Sequence, residues 1–303
     1  MTMTILLRKK KYLLLPCAFW ILPLLMYFNP GVEATSLPPT VLAQTLEAPK
    51  VKAEQLLAQG IEQLDANQFD AALQSFQLTL NIYRQSGNRF GEAVALNNLG
   101  VAYDYQGQYE QAIAFHRESM KIFWEIGNRP EIGASLNNQC IAHRHQGEYQ
   151  KAIALCHGAI GIFRNMANLP NGNRSTSRKR QAVALNNMGI AYEMLADYER
   201  AIGYFQEALI TAKDNGDARG EVITLKNLEE AYSKLGQSER AKEFERQALA
   251  ISQKISEAVG TGAIASRNDY LLVRQNQESL AFIFSSQSVN IIEATPKATQ
   301  GAP

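Results

Sequence analysis

Apolar and small residues recur along this chain at the three-and-four spacing of a single helix face, and the recurrence itself repeats. Over residues 51–86, Leu56, Leu57, Gly60, Ile61 and Leu64 outline one amphipathic helix. Asn67-Gln-Phe-Asp interrupts it, and Ala72, Leu73, Phe76, Leu80 and Tyr83 outline a second. Gly87-Asn88 predicts the stop, because both residue types tolerate the left-handed conformation that ends helices. The plan returns over 90–126 and 130–166 in strict 40-residue register: Gly60, Gly100, Cys140; Phe69, Tyr109, Tyr149; Ala72, Ala112, Ala152.

The step from Cys140 to Gly189 is 49 residues, and the extra length falls in a Gly-, Pro-, Asn- and Ser-rich stretch, 168–180, expected to be loop. A fourth unit then spans 179–215 and a fifth 218–256. Each unit reads as a helical hairpin that cannot bury its apolar face alone, so the units must stack. Residues 258–290 are expected to form a degenerate last helical hairpin covering the open end. Tyr270, Leu271, Leu272 and Val273 would supply its first helix, and Asn276 to Ala281 echo Gly236 to Ala241. The tail, 291–303, is expected to be disordered. The fold class expected is all-α: an α-solenoid of five repeats plus that degenerate C-terminal hairpin.

The first 43 residues stand apart from this pattern. Arg8-Lys9-Lys10-Lys11 precedes 17 uncharged residues, Tyr12 to Phe28, and small-residue exits follow at Val32-Glu-Ala34 and Val41-Leu-Ala43. That is the order of a secretory signal peptide, so export to a periplasm or secretion is expected. The alternative is a retained membrane anchor through residues 12–28, the run being long for a signal core. Four bases and one acid leave with this segment, taking the net charge from +1 to about −2. Nothing in that balance favours nucleic acid.

The repeated segments Ala95-Leu-Asn-Asn-Leu-Gly, Ser135-Leu-Asn-Asn-Gln-Cys and Ala184-Leu-Asn-Asn-Met-Gly, each followed by a turn aromatic and a paired Ala, resemble the tetratricopeptide repeat. The likeness covers about 51–256 and is to the long variety seen in polarity adaptors of the LGN type, kinesin light chains and many bacterial arrays. It implies a right-handed solenoid in which the first helix of each hairpin lines a concave groove for a partner protein or peptide. Departures are Cys140 and Glu229 at the small site and Ser238 at the turn aromatic. The paired asparagines carry the expected binding role, because a side-chain amide both donates to and accepts from the backbone of an extended ligand. Asn97, Asn137, Asn186 and Lys226 are assigned to the groove, with Val101, Asp104, Ile141, Arg144, Ile190, Glu193 and Glu230 one turn further along the same face. Their neighbours Asn98, Asn138 and Asn187 are expected to bond between hairpins.

Other constellations read as ordinary packing. Cys140 and Cys156 are expected as two small core residues; a bridge is the alternative, opposed by placing Cys140 opposite Ala152. His143 takes the position held by Tyr103 and Tyr192, so no metal site is expected with Cys140, His116, His145 or His157. Arg174, Arg178, Lys179 and Arg180 are expected as loop charges. No phosphate loop, nucleophile elbow or zinc-protease motif is present. Bacterial arrays of the kind resembled often precede a CHAT protease domain, but only 47 residues follow Ser256. The function expected is therefore a non-catalytic, cofactor-free scaffold for a protein or peptide partner. The alternative is a regulatory or substrate-recruiting subunit of a separately encoded enzyme such as a CHAT-type protease.

Overall fold

A computed structural model describes residues 39–170, 173–260, 270–275 and 279–284. The chain divides into Met1–Leu46 and Glu47–Pro303, and the account below concerns the second unit. The expected signal core at 12–28 and the tail from 291 lie outside the described residues. Among the described residues no helix is long and apolar enough to cross a membrane.

Ten helices follow in sequence: α1 (Pro39–Asp65), α2 (Phe69–Gln85), α3 (Arg89–Tyr105), α4 (Tyr109–Glu125), α5 (Arg129–His145), α6 (Tyr149–Ala167), α7 (Arg174–Glu193), α8 (Tyr198–Asp214), α9 (Ala218–Lys234) and α10 (Ser238–Gly260). Each packs on the next, so the molecule is an α-solenoid of helical hairpins with odd-numbered helices on one side and even-numbered ones on the other. The turns keep a twenty-residue beat. Residues with positive φ fall at Asn67, Gly87, Gly107, Gly127 and Gly147, then, after the insertion, at Ala196, Gly216 and Gly236. Only the left-handed conformation reverses a helix this tightly, which is why glycine dominates the series.

Asparagine after those glycines does a second job. Asn88 and Asn128 are the N-caps of α3 and α5, their side chains accepting from the backbone N–H of Gly91 and Glu131; Asn173, Asp197 and Asp217 do the same for α7, α8 and α9. The cap satisfies a donor that the helix itself leaves orphaned.

Within hairpins, a column of residues sixteen apart sets the helix spacing. A Cβ added to Gly60 would lie 2.4 Å from the Phe76 ring, one on Gly100 2.6 Å from His116, and one on Gly189 2.4 Å from Phe205. Small residue and ring thus fit into each other. In the third hairpin the same column holds Cys140 and Cys156, and they form a disulfide joining α5 to α6 with a Cα separation of 5.4 Å. This corrects the expected separation of the two cysteines: Cys140 faces Cys156, not Ala152, because the sixteen-residue column governs that contact. In the fifth hairpin the column is Glu229 and Glu245. One contiguous core runs from Ala53 to Ala208, and a second cluster from Ile190 to Ile251 ties the fourth hairpin to the fifth.

Two sequence expectations fail here. Residues 174–180 are not loop: α7 starts at Arg174. Arg180 is buried, donates to Glu131 of α5 at 2.8 Å and lies over the Phe163 ring at 5.9 Å, while Arg178 pairs with Asp214 at 3.3 Å. The insertion that lengthens the period is therefore shared among a longer α6, a longer connection and a longer α7. The second failure is the expected helical cap. Tyr270–Gln275 (β1) and Ser279–Phe284 (β2) form an antiparallel ribbon, Tyr270 opposite Phe284 and Gln275 opposite Ser279. Short apolar runs do not reveal by period alone whether they are helix or strand. Here the packing decides: β2 lies against α3, α5 and α7 rather than forming a helical cap beyond α10.

Candidate partner-binding groove

Each odd-numbered helix has one side fixed by its hairpin partner. On α3 that side is marked by Gly100, against the His116 ring of α4, and by the carbonyl of Ala93, which accepts from Ser119 at 2.8 Å. Successive helical residues turn about 100°. Asn98, two residues before Gly100, therefore projects about 160° from the side that α4 covers, whereas Asn97 projects only about 60° from it. The same holds for Asn138 relative to Cys140 and Asn187 relative to Gly189.

The hydrogen bonds agree with this geometry. Asn97 Oδ1 lies 3.1 Å from His116 Nδ1 and accepts from Asn138 Nδ2 at 3.1 Å. Asn137 Oδ1 accepts from Asn187 Nδ2 at 2.9 Å, and Asn186 Oδ1 accepts from Asn227 Nδ2 at 3.1 Å. Asn186 Nδ2 also donates to Thr224 Oγ1 at 2.8 Å. An amide ladder thus joins α3, α5, α7 and α9: the first asparagine of each pair looks forward along the stack and the second reaches back to it.

This corrects the sequence assignment of the first member; the expectation that the second bonds between hairpins holds for Asn138 and Asn187. Asn97, Asn137 and Asn186 are seam residues between hairpins, all buried. Lys226 occupies the same register on α9, where no further hairpin follows among the described helices, and it is exposed. Asn98, Asn138 and Asn187 are the members on the groove side, though the latter two also bond across the seam. The signal was present in the sequence: the small column marks the packed side, and the second asparagine stands nearly opposite it.

The remaining predicted positions follow the seam. Val101, Ile141 and Ile190 are buried on its shoulder, while Glu230, their equivalent on α9, is exposed. Asp104 accepts from His145 Nδ1 of α5 at 3.1 Å, Arg144 lies within hydrogen-bond distance of His145 at 3.1 Å, and Glu193 pairs with Lys234 of α9 at 3.1 Å. The Asp104–His145 and Glu193–Lys234 contacts hold neighbouring hairpins in register. His143 pairs with Glu148 at 2.6 Å, and among the described residues no group of side chains could hold a metal ion.

Two stretches, residues 55–123 and 180–254, match the family model described as tetratricopeptide repeat. The third hairpin lies between them in the same register. The chain is a tetratricopeptide-repeat protein. No curated relative matches the sequence. Among solved structures, the nearly identical TPR-like repeats of a kinesin light chain from Podosopora anserina are 16% identical, with a TM-score of 0.53, over 69% of this chain and 98% of that one. Aspartyl phosphate phosphatase F from Bacillus subtilis is 17% identical with a TM-score of 0.61, over 73% of this chain and 55% of that one. A Rap protein complexed with competence and sporulation factor is 15% identical with a TM-score of 0.59, over 72% and 60%. This chain therefore spans less than two thirds of the latter two, and at these identities the shared property is the fold. Tetratricopeptide arrays are protein-interaction scaffolds.

Proposed function

We propose that this protein is an exported, non-catalytic scaffold that binds an extended segment of a partner protein along the groove side of α3, α5 and α7. The observation that carries the reading is β2, a strand seated against those three helices. A strand already lying against these helices supports their use by an extended partner segment. Three amides at equivalent places, Asn98, Asn138 and Asn187, line that face, and an amide can pair with any peptide backbone whatever its side chains. The resemblance to a Rap protein complexed with competence and sporulation factor supports a binding role of this kind.

Export rests on the charged, apolar and small-residue order of residues 8–43, and the buried Cys140–Cys156 bridge suits an oxidising compartment. N-terminal sequencing of exported protein should begin at Gln44 or Thr35. Intact Met1 in the membrane fraction would instead establish a retained anchor.

The binding reading is tested by cross-linking the exported protein, identifying the captured partner by mass spectrometry, and titrating it against two variants. Asn98→Ala combined with Asn138→Ala and Asn187→Ala should weaken binding roughly a hundredfold, three hydrogen bonds at about 1 kcal/mol each, and should also lower the melting temperature because Asn138 and Asn187 donate across the seam. Asn97→Ala should lower the melting temperature with little selective loss of binding. A triple variant that binds as tightly as the parent removes the groove from consideration. Co-purification of a hydrolase would favour a recruiting subunit of a separate enzyme.

A further inference from the structure

Why is the groove covered at all in the free chain? On the side of each inner helix turned away from its hairpin partner, Val94 and Asn98 of α3 have no exposure, Ala134 and Asn138 of α5 have 0% and 2%, and Val183 and Asn187 of α7 have 4% and 1%. Among the described residues, β2 lies against all three of these helices.

The dimensions match. Six residues of strand rise about 20 Å. Three parallel helices at axis separations near 10 Å span about the same distance. The connection from Gly260 to Tyr270 contains nine residues, enough to reach about 30 Å. The segment can therefore arrive from the end of its own α10 without a second molecule.

The chemistry matches as well. Ser279-Leu-Ala-Phe-Ile-Phe284 carries no charge, and a two-stranded ribbon alone is marginal in water. Each strand of such a ribbon also keeps one edge of backbone donors and acceptors that its partner strand does not meet. The groove supplies what is missing: apolar shoulders at Val101, Ile141 and Ile190, and the amides of Asn98, Asn138 and Asn187 at a repeating interval along it. The last inner helix is not part of this seat. The principal contacts of β2 stop at α7, and Ile223 of α9, in the register of Val94, is only half-buried.

Resting on the binding role proposed above, we infer that β2, Ser279–Phe284, is a built-in occupant of the groove: an intramolecular mimic of the partner, displaced when the partner binds. The partner segment then has the chemistry of its competitor. It is a short, uncharged, apolar strand presenting a free backbone edge, longer in reach than β2 so that it gains additional contacts on α9.

The decisive measurement uses the full exported chain with Phe282 replaced by the photoreactive p-benzoylphenylalanine. Irradiation should give adducts within one molecule, mapped by mass spectrometry to α3, α5 and α7. Adducts only between molecules would overturn the intramolecular seat and establish strand exchange with a second copy. Absence of adducts to these helices would overturn the inference altogether. A second arm titrates a fluorescein-labelled peptide of residues 270–284 against the parent chain and against the full chain carrying Phe282→Asp and Ile283→Asp. Charges placed in the strand should vacate the groove, so the variant should bind the peptide at least tenfold more tightly than the parent does. Equal affinity, or no binding by a variant whose circular dichroism matches the parent, counts against a competing occupant. The two readings fail separately. Intramolecular adducts with no protein retained from the exported fraction would leave the occupant standing and remove the scaffold role; a retained protein without adducts would do the reverse.

Discussion

The third inner helix from the end, α5, and the last, α9, descend from the same sequence plan, yet 13 residues of α5 are buried against six of α9, each helix being 17 long. Two causes separate them. A following hairpin covers the forward side of α5, and β2 lies on its groove side; α9 has α10 as its last hairpin partner, and β2's principal contacts do not extend to it. The residues obey the difference. The seam position is Asn137 where the stack continues and Lys226 where it ends, and the shoulder is Ile141 against Glu230. The fifth hairpin is thus its own polar cap, which an open-ended stack requires. The terminal charges that sequence reading assigned to ligand recognition are better explained as solvation of that end.

The largest contrast should come from ion pairs. Glu131 and Arg180 are both buried and bind α5 to α7 at 2.8 Å. Arg180→Met leaves a buried carboxylate without its partner and should cost about 3–5 kcal/mol. Lys242 and Glu239 on α10 are exposed, and Lys242→Ala should change stability by less than about 0.5 kcal/mol. Denaturant titration of both variants checks this; similar losses would mean that the end of the array is as tightly built as its middle.

Acid should expose the same asymmetry. His116 is buried in the interior hairpin, and burial lowers its pKa to about 4, the nearby Asp104 opposing only in part. A depressed folded-state value means that the neutral ring is favoured by folding. Its contribution is fully present above pH 6.5 and is lost as pH falls from 6.5 towards 4, amounting to about 3 kcal/mol at the low end. His116→Phe, the residue found at this column in Phe76 and Phe205, should flatten melting temperature against pH across that window. An unchanged slope would place the acid sensitivity elsewhere.

The sixteen-residue column offers a third comparison. Gly189→Ala drives a methyl group into the Phe205 ring and should cost about 1–3 kcal/mol despite alanine's better helix propensity. At the same register in the last hairpin, Glu229 is shifted upward by partial burial and by Glu245. Glu229→Ala should be neutral or slightly stabilising, because it removes a repulsion rather than filling a gap. Opposite signs in thermal melts are the expected result.

The solenoid and its small column were legible because each is written several times in one register. Features written once were not. The Cys140–Cys156 contact looks anomalous in its own repeat and becomes plain only when Gly60 with Phe76, Gly100 with His116 and Gly189 with Phe205 show what that column does. The face of the asparagine pair was misjudged because adjacent helical positions differ by about 100° and either can bond across a seam. The β1–β2 ribbon escaped because short apolar runs leave helix and strand both open, and the helices that β2 lies against are distant in sequence. Arg180 escaped for a related reason: a base inside a Ser- and Arg-rich stretch looks solvated until Glu131, forty-nine residues earlier, is seen beneath it.

The smallest expected effect lies in the turns, and it runs against the usual direction of mutation. Ala196 closes α7 with φ +58, the place that glycine takes at Gly216 and Gly236 in the following turns. A side chain there pays the left-handed penalty of about 1–2 kcal/mol, while glycine's greater freedom in the unfolded chain returns some 0.5–1 kcal/mol of that. Ala196→Gly should therefore stabilise by about 0.5–1 kcal/mol. Its mirror, Gly236→Ala at φ +78 in the last hairpin, should destabilise by a similar amount if that end folds together with the rest. The pair doubles as a probe of cooperativity. If Gly236→Ala leaves the main thermal transition unmoved while hydrogen exchange quickens only in α9 and α10, the fifth hairpin opens on its own. A partner that needs α9 would then meet a groove whose far end is already loosened, and its grip on that end would rise with Gly236 intact and fall with alanine there, a difference measurable in the same binding titration.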